Sequence, residues 1–251
     1  MKISKRNIFF LLGIVGLIVL LIGAFTFYRW RTSDRVADAR LEKEQLLVEN
    51  LNKNGLAIDD VHILLAAFKQ EKELELYARK KADEVYTLIA SYTICAVPGN
   101  LGPKRQSGDK QMPEGFYRID RFNPKSRFHL SLGINYPNES DKIKSQAEDL
   151  GGDIFIHGSC YTIGCLPMTD DKIKEIYLYA VFARDNGQSN IPVYIFPFRM
   201  TDDNLQTHVS LYADNPALTG FWENLKIGYD KFVSEKRALN VSVNELGDYV
   251  F

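Results

Sequence analysis

An uncharged run from Ile8 to about Tyr28, dominated by Leu, Ile, Val, Phe and Gly, follows Lys2, Lys5 and Arg6. It has the roughly 20 residues a helix needs to cross a hydrocarbon core, so residues 1–30 are expected to form a cytoplasmic tip and a transmembrane anchor. The rest of the chain must then fold separately. A cleaved signal peptide is the alternative, but its apolar region is usually about 7–15 residues long and ends in a small-x-small site. Ala24-Phe25-Thr26 is a poor one. Arg29, Arg31 and Arg35 balance the basic residues before the span, so charge fixes its orientation only weakly.

Residues 31–58 read as a juxtamembrane helical stalk. They are rich in Glu, Lys, Leu and Ala, lack proline and stop at Asn54-Gly55. Val36, Leu41, Leu47 and Leu51 do not sustain a heptad, which favours a solvated spacer helix over a coiled coil. From residue 59 to 251 the pattern is of a β-rich α+β domain with peripheral helices. Short apolar or alternating runs (Val61 to Phe68, Leu74 to Tyr77, Val85 to Ile94, Phe116 to Ile119, Phe128 to Leu132, Ile154 to Ile156) alternate with Pro-Gly-Asn turn clusters. Helices are expected over Asp141 to Leu150, Asp170 to Asp185 and Pro216 to Lys236. With 31 basic and 32 acidic residues, no global field favours nucleic acid.

The segment that carries chemistry begins at Asp153-Ile154-Phe155-Ile156-His157-Gly158-Ser159-Cys160 and continues through Tyr161-Thr162-Ile163-Gly164-Cys165. An apolar strand runs into His-Gly, and a short loop ends at Gly-Cys before a helix that Thr169 is suited to cap. The thiolate is the reactive form of cysteine, and a neighbouring imidazole or helix N-terminus lowers a thiol pKa from about 8.5. Gly164 would let main-chain N–H groups approach an oxyanion closely.

His157-Gly158 followed by Thr162-x-Gly164-Cys165 resembles the signature of the L,D-transpeptidase catalytic-domain family (YkuD type), and within it the YafK-like branch. Leu101-Gly102-Pro103-Lys104, Pro113-Glu114-Gly115-Phe116-Tyr117, Leu130-Ser131-Leu132-Gly133 and Tyr136-Pro137-Asn138 fall in the branch's order. The resemblance, spanning roughly Phe68 to Tyr179, implies a β-sandwich-like domain in the cell envelope acting on peptidoglycan stem peptides. It implies Cys165 as nucleophile, His157 as general base, and Gly164, Thr162, Ser159 and Gly158 as oxyanion or orienting residues. No cofactor or metal is implied. An envelope lipoprotein is a further partner the branch suggests, and the catalytic domain would face the periplasm or cell exterior from the inner membrane. Many family members carry a longer insertion, a second histidine where this chain has Ile163, and Arg or Asn soon after the cysteine, where it has Leu166-Pro167-Met168.

Bland readings stand beside these. A buried cysteine is commonly an inert hydrophobe, and Cys95, in a strand-like run, reads as core. Cys160 can pack in the loop or bridge to Cys165 as a redox lock, and His157, Cys160 and Cys165 with Asp153 form a conceivable metal set. His62, His129 and His208 read as structural or surface residues, and Lys104, Arg105 and Arg118 as solvated cations. The competing functions are hydrolysis of the same linkage, a non-catalytic peptidoglycan-binding scaffold, and a cytoplasm-facing membrane adaptor.

Overall fold

The computed structural model describes residues 15–16, 18–23 and 34–251. The span expected between Ile8 and Tyr28 lies largely outside them, and among the described residues no helix is long and apolar enough to cross a membrane.

Helix α1 (Arg35–Lys53) starts at Asp34, whose carboxylate accepts the backbone N–H groups of Val36 and Ala37 at 3.1 and 3.3 Å. It stops where Gly55 turns left-handed, φ +70°, a conformation glycine adopts without steric cost. The solvated spacer is corrected here. Ala39, Leu47 and Leu51 make a one-sided stripe, too narrow to sustain a heptad but buried in the main core alongside α3 (Asp170–Asp185). Asn50 donates to the Tyr179 hydroxyl at 2.9 Å and to the Ile89 carbonyl at 3.0 Å. Lys43 bridges Asp171 and Glu175 of α3 at 2.6 and 3.0 Å. The folded unit therefore includes α1.

Eight strands follow: β1 (Val61–Phe68), β2 (Glu73–Lys80), β3 (Thr87–Thr93), β4 (Gly115–Asn123), β5 (Ser131–Ile134), β6 (Phe155–His157), β7 (Leu166–Pro167) and β8 (Pro192–Phe196). They join in a single sheet of order β3-β2-β1-β8-β4-β5-β6-β7, with a separate β9 (Ser242–Val243) and β10 (Tyr249–Val250) ribbon. The β-rich α+β class and the peripheral helices are as expected, but the sandwich is not. The reason lies in β1, which is buried at every position. Ile63, Leu65 and Ala67 enter the core that α1 and α3 cover, while Leu64, Ala66 and Phe68 enter a second core shared with α5 (Pro216–Glu235). Helices cover both faces, so no second sheet is required, and a strand buried on both sides reads as an unbroken apolar run.

Strand β4 changes partner midway, pairing through Gly115–Arg118 with β8 and from Ile119 onward with β5, with a register irregularity between Ile119 and Arg121. This bend carries the sheet into its β5-β6-β7 half. Helix α2 (Glu139–Lys144) is shorter than expected and begins at an Asn138–Asp141 capping box. Helix α4 (Asp202–Leu211) and strand β8 were not anticipated at all. Lys69, just after β1, and Glu114, just before β4, form an ion pair at 2.8 Å with both side chains fully buried.

Candidate active site

The site is built by strand register. Strands β6 and β7 pair in parallel, Ile156 with Leu166 and His157 with Pro167, while β5 pairs antiparallel with β6, Ser131 with His157 and Leu132 with Ile156. Side chains alternate across a sheet. Leu132, Ile156 and Leu166 accordingly fall in the core, and Ser131, Phe155, His157 and Cys165, the residue before β7, line one cavity of about 370 Å³. Its walls are completed by Asn123, Ser126, Arg127 and Phe128 on one side and Asp153 with Tyr161, Thr162 and Ile163 on the other.

His157 is held by its own turn. Its Nδ1 lies 2.6 Å from the Gly158 carbonyl oxygen, which can only accept, so Nδ1 carries the proton and Nε2 is left as the basic nitrogen. The ring packs on Phe128 with centroids 4.7 Å apart. Gly158 has no room for a side chain: a Cβ would sit 2.6 Å from Asp170 Oδ1 and 2.8 Å from the Phe128 carbonyl oxygen. Asp170 also accepts the Ser159 N–H at 2.9 Å, tying the His-Gly-Ser turn to the start of α3. The Gly158 carbonyl is the hydrogen-bond partner of the imidazole. Ser159 does not line the cavity.

Burial lowers the His157 pKa, opposed by the hydrogen bond to Gly158. Burial pushes the Cys165 thiol up, with Asp153 adding to the rise and a Phe155 backbone hydrogen bond and the Lys104 cation opposing it. The two shifts diverge, and both favour the uncharged thiol and imidazole over a thiolate and imidazolium. The expected help from a helix N-terminus is corrected: β7 stands between Cys165 and α3, and Thr169, the expected cap, accepts the Lys172 N–H at 3.2 Å. Alkylation of Cys165 by uncharged iodoacetamide should therefore rise through alkaline pH with a midpoint above that of an ordinary thiol, because the reactive thiolate is disfavoured below it. A neutral-pH plateau that vanishes in His157→Ala would show a preformed ion pair instead.

Thr162 occupies the position expected of an oxyanion. Its Oγ1 accepts the N–H groups of Gly164 and Cys165 at 3.2 and 2.8 Å, and the hydroxyl donates to the Cys165 carbonyl at 3.0 Å. Both main-chain donors expected to cradle an oxyanion are thus already engaged.

Cys160 is bonded to Cys95 across 65 residues of sequence, and Cys165 is the free cysteine. A Cys160–Cys165 bridge, Cys95 as a plain core residue and Cys160 as a metal-ligating thiolate are all corrected by that bond. Cys95 follows β3 and donates its N–H to the Pro167 carbonyl at 2.9 Å, so the outer strand is brought beside β7, where the loop residue Cys160 can reach it. Lys104 is likewise no solvated cation. It is buried and paired with Asp109 at 2.7 Å, while Arg105 pairs with Asp141 at 2.8 Å.

Sequence reasoning missed Asn123, Ser126, Arg127, Phe128 and Phe155 as lining residues. The signal for Ser131 was present, since Leu130-Ser131-Leu132 alternates and the serine must oppose the buried face. For Arg127 and Phe128 there was none, because no local pattern reveals which loop the bent sheet folds against His157.

A chain with a strand-end histidine and a free cysteine just before the adjacent parallel strand is similar in sequence to known proteins. The family described as L,D-transpeptidase catalytic domain matches residues 65–195, and the chain belongs to that family. YafK of Escherichia coli (strain K12) is 40% identical over 184 residues, 72% of this chain and 70% of the relative, and the protein of the same name from Escherichia coli O157:H7 matches equally. Among solved structures, the helical cell shape determining protein Pgp2 from Campylobacter jejuni aligns at 18% identity and TM-score 0.44 over 74% of each chain. Bd1075 of Bdellovibrio bacteriovorus aligns at 22% identity and TM-score 0.41 over 69% of this chain and 63% of that one.

Proposed function

We propose that the protein is a peptidoglycan-modifying cysteine acyltransferase acting at meso-diaminopimelate of stem peptides. What supports this most is that His157 and the free Cys165 line one cavity with the basic imidazole nitrogen unencumbered. His157 takes the Cys165 proton as sulfur attacks the amide carbonyl at the L-centre of diaminopimelate. It returns that proton to the departing D-alanine amine as the C–N bond breaks, leaving a thioester. A second amine resolves the thioester in transfer, and water resolves it in hydrolysis. In this scheme the developing oxyanion replaces the Thr162 hydroxyl on the N–H groups of Gly164 and Cys165. A location outside the cytoplasm, from an inner-membrane anchor formed by residues 1–30, belongs to the same proposal. The Cys95–Cys160 bond supports it, because disulfides persist in oxidising compartments.

The test uses the full chain in detergent and its Cys165→Ala variant, incubated with disaccharide-tetrapeptides and with whole sacculi, products read by mass spectrometry. Cross-linked or exchanged muropeptides that vanish in the variant establish a transpeptidase. Products gaining only water, including a released envelope lipoprotein, establish a hydrolase. Identical profiles from both proteins leave the non-catalytic scaffold.

A further inference from the structure

Two charged residues line the cavity, Asp153 and Arg127. Asp153 is already answered, its carboxylate paired with Arg121 at 2.8 Å. Arg127 is exposed and its guanidinium takes no hydrogen bond, ion pair or ring contact among the described residues. Such a side chain on a mobile loop would be one more solvated cation. The loop here is held. Arg35, the first residue of α1, donates through one guanidinium nitrogen to the carbonyls of both Ser126 and His129, which flank Arg127 and Phe128. Of the two residues between those anchors, Phe128 packs at a tilt against the His157 ring and Arg127 also lines the cavity. A helix lying outside the family-matched residues 65–195 thus fixes the segment that carries an unmatched positive charge into the cavity that Cys165 also lines.

We infer that Arg127 is a substrate-binding residue that reads a carboxylate of the acyl donor, and that Arg35 is the positioning residue that presents it. The inference rests on the acyl-transfer reading above and adds its selectivity. A guanidinium fork matches a carboxylate bidentately and loses that match when the carboxylate is amidated. A stem tetrapeptide offers that group at its D-glutamate, at the D-centre of diaminopimelate and at its terminal D-alanine, and the chemistry is the same for all three.

The experiment measures calorimetric binding of the synthetic tetrapeptide L-Ala-γ-D-Glu-meso-diaminopimelate-D-Ala, and of three forms each amidated at one carboxylate, to the full chain in detergent. A Cys165→Ala background prevents turnover, and Arg127→Ala, Arg127→Lys and Arg35→Lys are compared within it. Loss of a hydrogen bond to a charged group predicts about tenfold weaker binding of the free acid to Arg127→Ala. Arg127→Lys should retain part of the affinity. One amide should bind the parent weakly and be indifferent to Arg127, which identifies the carboxylate read. Arg35→Lys, which cannot span both carbonyls, should weaken the free acid while sparing that amide. Unchanged affinity for the free acid in Arg127→Ala, or equal weakening of the acid and all three amides, overturns the inference. If no form binds the parent, the inference fails as well, and the muropeptide assay on wild-type protein decides separately whether the acyl-transfer reading fails with it.

Discussion

Glu114→Ala is expected to lower the free energy of unfolding by about 3–5 kcal/mol, the usual cost of removing one partner from a buried ion pair. Lys69 and Glu114 are fully buried and 2.8 Å apart. The lysine ammonium also donates to the carbonyls of Gly102 and Met112 at 2.8 and 3.1 Å. The carboxylate accepts the Gly102 N–H at 2.7 Å and the Trp222 indole N–H at 2.9 Å. Truncation strands a charge in a low-dielectric interior and orphans two further donors, and each buried unsatisfied donor alone costs about 1–3 kcal/mol. Domains of this kind are stable by only about 5–15 kcal/mol, so the urea midpoint of Glu114→Ala should fall by about a fifth or more. A loss below about 1 kcal/mol would mean that the lysine is solvated and the network is not structural. Because the network joins the end of β1 to the start of β4 and to α5, its loss should loosen both cores together.

Breaking the Cys95–Cys160 bond should have the second largest effect. In the chain-entropy account, a cross-link closing a loop defined by a sequence separation of 65 stabilises the folded state by about 4 kcal/mol. A Cys95→Ser, Cys160→Ser double variant should melt well below the wild-type protein, and dithiothreitol should lower the wild type to match it. Activity should fall at temperatures where both remain folded, because Cys160 directly precedes the cavity residues Tyr161, Thr162 and Ile163. A wild-type melt indifferent to dithiothreitol would show that the bond does not form.

Much of this was legible in the sequence where one local rule decided the outcome. Val61–Phe68 and Asp170–Asp185 emerged with the expected boundaries because each is punctuated by turn or cap residues and has a single dominant period. The candidate pair, His157 and Cys165, was readable because a strand, His-Gly and Gly-Cys lie within one short segment. The sandwich was not refutable from sequence, since a strand buried by helices on both faces shows the same apolar run as one buried between sheets. Residues 192–196 were missed because Pro192 opens a strand only five residues long, too short to show alternation. The docking of α1, the partner of Cys95 and the places of Arg127 and Phe128 all depend on where distant segments meet, and no periodicity encodes that.

The placement of Cys165 relative to His157 is set by the parallel β6–β7 ladder, whereas the loop joining those strands supplies Tyr161, Thr162 and Ile163 to the cavity wall. On the proposed acyl-transfer reading, reactivity and selectivity are thereby assigned to separable parts of one short stretch of chain. The backbone ladder would keep sulfur and imidazole in register while the tip, tethered at Cys160, accepted new side chains at 161 and 163. Variation there offers a route to new donors or acceptors that leaves the chemical machinery untouched, for natural divergence and for protein engineering alike.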